Sequence, residues 1–231
     1  MNPHHGAFVD VLHTLDNAAR AAGRPGGVRL LAVSKTRTAQ DVAALAELGQ
    51  ESFGENYMQE AAGKIAALAG RRLEWHLIGH LQSNKAREAA AAFDWVQSVD
   101  RATLAEALAR HRPDDRAPLN VLVQVNVDDE ASKHGCDPGA VPVLAAAIAA
   151  QPRLALRGLM AIPAPHADPE LRRPAFARMH ALFERMREAH PQADTLSMGM
   201  SDDFAIAIAE GATMVRIGSA LFGARPPRET A

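Results

Sequence analysis

The hydrophobic and polar positions of this chain follow two patterns that take turns along its length. Short apolar or β-branched runs, such as 28–34 and 119–127, are separated by longer alanine-rich stretches with helical spacing, such as 38–48. A short continuous apolar run is typical of a strand covered on both faces, whereas a spacing of three and four residues is typical of an amphipathic helix. The pattern therefore predicts strands alternating with helices almost from end to end.

After a leading helix over about 8–22, the pattern predicts eight strands, each followed by a helical piece. The predicted strands are 28–34, 51–53, 73–78, 95–99, 119–127, 154–162, 195–198 and 213–217. The predicted helices are 38–48, 58–69, 83–92, 103–110, 141–150, 169–190, 202–210 (capped by Ser201) and 219–222. This alternation indicates a single α/β domain over 1–231, a closed (β/α)₈ TIM barrel with a short tail after Gly223.

Composition narrows the class of protein. The chain has 231 residues, 48% hydrophobic and 23% charged, as in an ordinary globular protein, and its formal net charge of −2 argues against a general nucleic-acid or anionic-membrane binder. Cys136 is the only cysteine, so no internal disulfide can form. Because no signal peptide or membrane-spanning run is recognisable either, we expect a cytoplasmic protein.

In a (β/α)₈ barrel, chemistry is located where strands end, at their carboxyl-terminal side. Lys35 is one of only four lysines and directly follows the apolar run Leu30-Leu31-Ala32-Val33. Loss of water in the barrel mouth favours an uncharged amine, which is a nucleophile for carbonyls and forms Schiff bases. The equally weighted alternative is a lysine that reaches solvent or pairs with an acid such as Glu55.

Two late loops, 197–201 and 218–222, contain small residues and precede predicted helix starts. Loops after the seventh and eighth strands of such barrels commonly bind phosphate, although ordinary capping and glycine turns leave the same pattern. Together with Lys35, they suggest a ligand with a phosphate at one end and a carbonyl at the other.

Other constellations are weaker. His76 and His80 are four residues apart, but on a strand this spacing separates them, so we expect no metal site. Cys136, beside His134, lacks an evident acid partner and is expected to be an unreactive thiol. The chain contains no dinucleotide fingerprint, phosphate-loop motif or nucleophile-elbow serine.

Short motifs between Lys35 and Gly223 form an ordered set. They are Ala32-Val33-Ser34-Lys35, Phe53-Gly54-Glu55-Asn56-Tyr57, and residues 76–85, 158–160, 196–203 and 215–223. In this order and spacing they resemble the pyridoxal-phosphate homeostasis protein family. The resemblance implies a fold-type III barrel similar to the N-terminal domain of alanine racemase, without the C-terminal β domain. It also implies that the chain binds pyridoxal 5′-phosphate (PLP) and keeps it available, without known catalytic turnover.

The same resemblance assigns roles to individual residues. It implies that Lys35 holds PLP as a Schiff base and that Arg216 faces the pyridine nitrogen, where a permanent cation makes the ring a poor electron sink. Gly218 and Ser219, with either Ser197 or Ser201, would hold the phosphate. Two further residues would line the ring, Asn56 near the phenolic oxygen and His80 against its face or edge.

The resemblance does not by itself separate a carrier from an enzyme. A racemase of this fold needs a second acid/base opposite the cofactor, typically a tyrosine, and Tyr57, the only tyrosine, is expected in the pocket wall or core. We therefore expect a monomeric PLP carrier whose partners are PLP-dependent apoenzymes or free amino acids. The alternatives are a PLP-dependent racemase or lyase with Lys35 as its single base, and a cofactor-free Schiff-base aldolase acting on a phosphosugar.

Overall fold

A computed structural model describes residues 2–128 and 134–223 of the chain. Within these ranges eight parallel strands pair in chain order, and the last pairs with the first, so the sheet closes into a barrel. The strands are β1 (Arg29–Val33), β2 (Ser52–Glu55), β3 (Glu74–Leu77), β4 (Trp95–Val99), β5 (Leu119–Val125), β6 (Leu154–Ala161), β7 (Thr195–Ser197) and β8 (Met214–Ile217). The predicted barrel is confirmed.

Helices surround the barrel in the predicted order. They are α1 (His5–Ala21), α2 (Ala39–Ala46), α3 (Met58–Ala67), α4 (Ala86–Ala92), α5 (Ala102–His111), α6 (Val141–Ala149), α7 (Arg173–Ala189), α8 (Phe204–Ala209) and α9 (Ser219–Phe222). Two predicted helices begin with separate 3₁₀ turns, Ser83–Lys85 before α4 and Pro169–Arg172 before α7. No helix in these described ranges has both the length and the apolar character needed to cross a membrane.

One predicted helix start is wrong. Helix α8 begins at Phe204 with Asp203 as its N-cap residue, so Ser201 is not the cap. The physical reason is a tight turn in which the carboxylate of Asp203 accepts a hydrogen bond from the backbone N–H of Met200 at 2.6 Å. This turn takes up the first residues of the predicted helix and leaves the Ser201 hydroxyl to the neighbouring loop.

Strand periodicity divides the core into two layers. Residues two apart on a strand point to the same side, so apolar positions such as Trp75 and Leu77 pack outward beneath the helices. The interior of the barrel holds a small separate apolar cluster of Trp95, Leu122 and Met160. Buried polar side chains, among them Gln97 and His76, also lie in the interior, and these connect to the site described below.

Gly158 on β6 is required by the packing of two neighbouring strands. Its φ is +147°, and a Cβ placed there would lie 1.8 Å from the carbonyl oxygen of Thr195 on β7. We expect Gly158→Ala to lower the free energy of unfolding by about 3 kcal/mol, through backbone strain and overpacking. Urea unfolding measures this.

A matched control lies on α3. Gly63 has open space around its Cβ position, so Gly63→Ala is expected to stabilise the helix by about 0.5–1 kcal/mol. Equal effects of the two substitutions would contradict the role given to Gly158.

Candidate functional site

A cavity of about 300 Å³ opens at the barrel mouth, the end where the strands finish. This is within the size range of small-molecule sites. Its lining comes from widely separated parts of the sequence: Val33, Lys35, Arg37, Asn56, Ile78, Ile162, Met200, Ser201, Asp202, Arg216, Gly218, Ser219 and Gly223. The predicted lysine, the predicted arginine and both predicted late loops therefore meet in one place.

Lys35 reaches the cavity through the geometry at the end of β1. Val33 and Lys35 are two apart and both line the cavity, while Ser34 between them is fully buried. A turn follows, closed by the N–H of Arg37 donating to the carbonyl of Ser34 at 3.1 Å. Within this turn Thr36 has φ +64°, a conformation that costs a β-branched residue about 1–3 kcal/mol.

An ion pair lies behind this turn. Glu55 is fully buried and accepts hydrogen bonds from Lys64 at 2.7 Å and from the Ser34 hydroxyl at 2.6 Å. Burial raises the pKa of Glu55, and the bonds from Lys64 and Ser34 oppose that rise. The sequence had left open a pairing of Glu55 with Lys35, and the salt-bridge partner of Glu55 is Lys64.

Arg216 is the buried cation of the site. It is 4% exposed, and its guanidinium donates to the hydroxyl of Ser197 and to the carbonyl of Ala161, both at 2.8 Å. Burial lowers the pKa of Arg216 to about 10, against the opposing charge of Asp203. The guanidinium therefore remains protonated at neutral pH.

From Arg216 a single chain of hydrogen bonds crosses the barrel interior. The Ser197 hydroxyl donates to Gln97 Oε1 at 2.7 Å, and Gln97 Nε2 donates to His76 Nδ1 at 2.9 Å. His76 Nε2 in turn donates to Glu74 Oε1 at 2.7 Å, at the opposite end of the barrel. Burial lowers the pKa of His76 and so favours its neutral ring, which accepts a hydrogen bond at Nδ1 and donates one at Nε2.

The two late loops face each other across the cavity. The hydroxyl of Ser219 donates to that of Ser201 at 3.1 Å, which joins the two loops at the cavity. Gly218 packs closely on β1, since a Cβ there would lie 3.1 Å from the carbonyl oxygen of Val33. A buried salt bridge of 2.6 Å between Arg172 and Asp203 fixes the turn that carries Ser201.

Asn56 contributes a polar atom that the protein leaves unsatisfied. Its Oδ1 is buried and has no hydrogen-bond partner among the described residues, although Asn56 lines the cavity. A buried amide oxygen without a partner is costly unless a ligand completes it. Gly79 allows the backbone to pass close to Asn56, since a Cβ there would lie 2.2 Å from the Asn56 carbonyl oxygen.

Some predicted residues lie elsewhere. Ser197 is fully buried beneath Arg216, and among the described residues that line the cavity His80 is not included. The ring of His80 instead stacks on His134 with centroids 3.8 Å apart. Tyr57, expected in the pocket wall or core, is 56% exposed because it is the residue that precedes α3 at the surface. A direct role for Ser197 or His80 at a ligand stays a prediction.

The structure also describes the side chains that the sequence raised for metal and thiol chemistry. Within the part of the chain that the structure describes, no group of three histidine, cysteine or acidic side chains is arranged to hold a metal ion. Burial raises the pKa of the Cys136 thiol to about 11, so it is protonated and a poor nucleophile at neutral pH.

The sequence reasoning missed Arg37 and Gln97. Arg37 lines the cavity, donates to the carbonyl of Gly223 at 2.5 Å and lies 5.8 Å from the centre of the Phe222 ring. Its position two residues after Lys35 was the available signal. Gln97 is a polar residue in the middle of the apolar strand β4, and a polar residue there indicates a buried partner.

Comparison with known proteins agrees with this geometry. The family described as alanine racemase, N-terminal domain, matches residues 9–226. Proteins named pyridoxal phosphate homeostasis protein from Pseudomonas aeruginosa and Pasteurella multocida are 55% and 50% identical to it. The alignments cover 94% of this chain and 94% and 96%, respectively, of those relatives.

A solved structure of PipY from Synechococcus elongatus with PLP bound is 36% identical and superposes with a TM-score of 0.79. The match covers 91% of this chain and 99% of that one. The fold and site define a barrel of the alanine racemase N-terminal class. Within that class, this chain belongs to the pyridoxal phosphate homeostasis protein family.

Glu74, which ends the interior chain, gives a pH-dependent prediction. Burial opposes its ionisation, but the hydrogen bond from His76 and the charge of Arg29 hold the pKa of Glu74 well below its usual range. A carboxylate with a lowered pKa stabilises the fold above its unfolded-state pKa of about 4.3, and this stabilisation is lost as the pH falls below that value. Glu74→Gln is therefore expected to lower the free energy of unfolding at about pH 7 and to have less effect at about pH 3.5.

Urea unfolding of both proteins at the two pH values measures this difference. The matched control is Glu184→Gln, which removes an exposed carboxylate paired with Arg187 on α7 and should change little at either pH. A Glu74→Gln effect of the same size at both pH values would contradict the assigned role.

Proposed function

We propose that this protein binds PLP in the mouth cavity, tethers it on Lys35 and serves to hold and supply it. The observation that carries the proposal is the convergence of Lys35, Arg216 and the paired hydroxyls of Ser201 and Ser219 on one cavity. The names of the relatives, and the PLP bound in the PipY structure, support the same ligand.

The residues present fit this ligand. When bound, PLP supplies an aldehyde carbon that a lysine amine attacks reversibly, so that the ligand is held as a Schiff base. Lys35 offers the amine, and Asn56 Oδ1, which is an acceptor, offers a partner for the phenolic O–H group. Arg216 would hold a positive charge toward the ring nitrogen and so would disfavour its protonation.

Ser201, Ser219 and Gly218 are the residues that we assign to the phosphate. Phosphate oxygens accept hydrogen bonds from groups such as the two serine hydroxyls and the backbone N–H groups at the start of α9. The Ser197 hydroxyl is already bonded to Arg216 and Gln97, so we assign it to holding Arg216.

The lining of the cavity favours a carrier over an enzyme. Besides Lys35, the titratable side chains among its described lining residues are Arg37, Asp202 and Arg216. Arginines do not act as bases near neutral pH, Asp202 is exposed to solvent, and Tyr57 is not among the described residues that line the cavity. We therefore propose that two-base proton transfer at an amino acid is not its function, and that recipients of PLP are apoenzymes or free amino acids.

We also propose that the protein works as a monomer in the cytoplasm, where its single cysteine meets a reducing environment. Light scattering across a range of protein concentrations, with and without PLP, tests the monomer. A stable dimer at all concentrations would overturn that part of the proposal.

The first experiment is visible absorption after addition of PLP, followed by borohydride reduction and peptide mass analysis. We expect a yellow protein with the reduced pyridoxyl group on Lys35. Lys35→Ala should keep its fold, because it removes little core volume, and lose the covalent adduct. Lys85→Ala, a half-exposed lysine paired with Glu88, is the matched control and should keep it.

The outcomes separate the candidate functions. Absence of the band even with added PLP would overturn both PLP functions and favour the cofactor-free aldolase. Steady turnover of an amino acid that is lost in Lys35→Ala would overturn the carrier and favour a racemase or lyase. PLP exchange without turnover supports the carrier.

Two serine variants test the phosphate assignment. Ser201→Ala should weaken PLP binding by about tenfold, because one hydrogen bond to a charged group is lost, while leaving the binding of pyridoxal nearly unchanged. Ser197→Ala should instead lower the melting temperature, since it leaves Gln97 and Arg216 without their shared hydroxyl. Fluorescence titration with the two ligands, together with thermal melts, measures both effects.

The opposite pattern would reassign the phosphate contact. Loss of the preference for PLP over pyridoxal in Ser197→Ala, with no such loss in Ser201→Ala, would place Ser197 at the phosphate.

A further inference from the structure

The two peptide groups on either side of Lys35 are held by one pair of side chains on α3. The carbonyl oxygen of Ser34 accepts a hydrogen bond from Lys64 Nζ at 2.6 Å. The N–H of Thr36 donates to Glu60 Oε1 at 2.5 Å. Lys64 and Glu60 are themselves bonded at 2.6 Å, one helical turn apart. The backbone that carries Lys35 is thus attached on both sides to the same ion pair.

This attachment coincides with backbone strain. Thr36 is the only residue other than glycine with a positive φ among the described residues. It is the third residue of the turn from Ser34 to Arg37, the place where a positive φ is ordinarily taken by glycine. A β-branched residue persists in such a conformation only where its surroundings hold it there. The bond from Thr36 to Glu60 supplies that hold.

Lys64 belongs to this hydrogen-bond network and is not among the described residues that line the cavity. It is 5% exposed, and its ammonium has three acceptors within 2.7 Å: Ser34, Glu55 and Glu60. A lysine ammonium has three donors, so these contacts use its full capacity. With these three contacts made, Lys64 has no free position at which to meet a ligand.

We propose that Lys64 is a positioning residue for Lys35: with Glu60 it holds the strained turn at Thr36, and the turn directs Lys35 into the cavity. The side-chain network on α3 thereby determines how fast Lys35 takes up its ligand, without touching that ligand. The proposal rests on the proposed function for the identity of the ligand, but the held turn is a property of the free protein.

The test compares Lys64→Met alone with Lys64→Met combined with Thr36→Gly. Uptake of PLP on Lys35 is followed by absorption and confirmed by borohydride reduction and peptide mass analysis. We expect Lys64→Met to slow uptake by about tenfold or more, because the reacting amine is no longer held in place. Glycine adopts a positive φ without strain, so adding Thr36→Gly should restore most of the rate.

The matched control is Lys85→Met, which removes a half-exposed lysine paired with Glu88 and should leave uptake unchanged. The acceptors that Lys64 leaves behind each keep another donor: Arg37 N–H for Ser34, the Ser34 hydroxyl for Glu55 and Thr36 N–H for Glu60. If Lys64→Met does not fold, Glu60→Ala takes its place, since it removes the oxygen that accepts the hydrogen bond from the Thr36 N–H. Slower uptake that Thr36→Gly restores is expected for it too.

A measurement on the ligand-free protein makes the inference independent of PLP. Hydrogen exchange of the Thr36 amide should be faster in Lys64→Met than in the wild type or in Lys85→Met. If the wild type does not take up PLP on Lys35, the proposed function fails, and the exchange measurement still decides whether Lys64 holds the turn. Unchanged uptake and exchange in Lys64→Met, or slow uptake that Thr36→Gly does not restore, would overturn the inference.

Discussion

The interior of this barrel is organised around one constraint, the burial of the Arg216 guanidinium. A charge removed from water is tolerated only when other groups replace the lost solvent, and here the replacements are the Ser197 hydroxyl and the Ala161 carbonyl. The Ser197 hydroxyl in turn needs an acceptor, which Gln97 supplies. Gln97 then donates to His76, and His76 donates to the carboxylate of Glu74. One cation at the mouth thus accounts for a row of polar residues that would otherwise be out of place in a barrel core.

Lys35, which lines the same cavity, also depends on supporting groups that do not face the ligand. Lys35 and Arg216 both line the cavity, yet the groups that fix them, Lys64 and Gln97, do not. The network around Lys35 comes from α3, which carries Lys64, and the network around Arg216 includes Gln97 on β4. The precision of such a site depends on these outer contacts as much as on the residues that face the ligand.

The fold, and several of the residues that line the cavity, could be predicted from the sequence because they depend on local patterns. Buried parallel strands form apolar runs, and a charged residue that ends such a run, as Lys35 does, is visible without a structure. The supporting partners could not be predicted, since Ser197 and Gln97 are 100 residues apart and meet only through barrel closure. The prediction that Ser201 caps α8 is wrong because the Asp203 carboxylate, two residues further on, accepts a hydrogen bond from the Met200 N–H. This bond closes a turn, and the helix begins only after Asp203. Thr36 at a positive φ contradicts local preference, so only the contacts of α3 reveal it.

The interior chain of hydrogen bonds has a uniform direction. Every donor, from Arg216 through Ser197, Gln97 and His76, faces the base of the barrel, and the chain ends on the negative charge of Glu74. Dipoles aligned head to tail add together, and here their negative ends point to the cation at the mouth and their positive ends to the anion at the base. One row of side chains therefore solvates two charges of opposite sign, the Arg216 guanidinium at one end and the Glu74 carboxylate at the other.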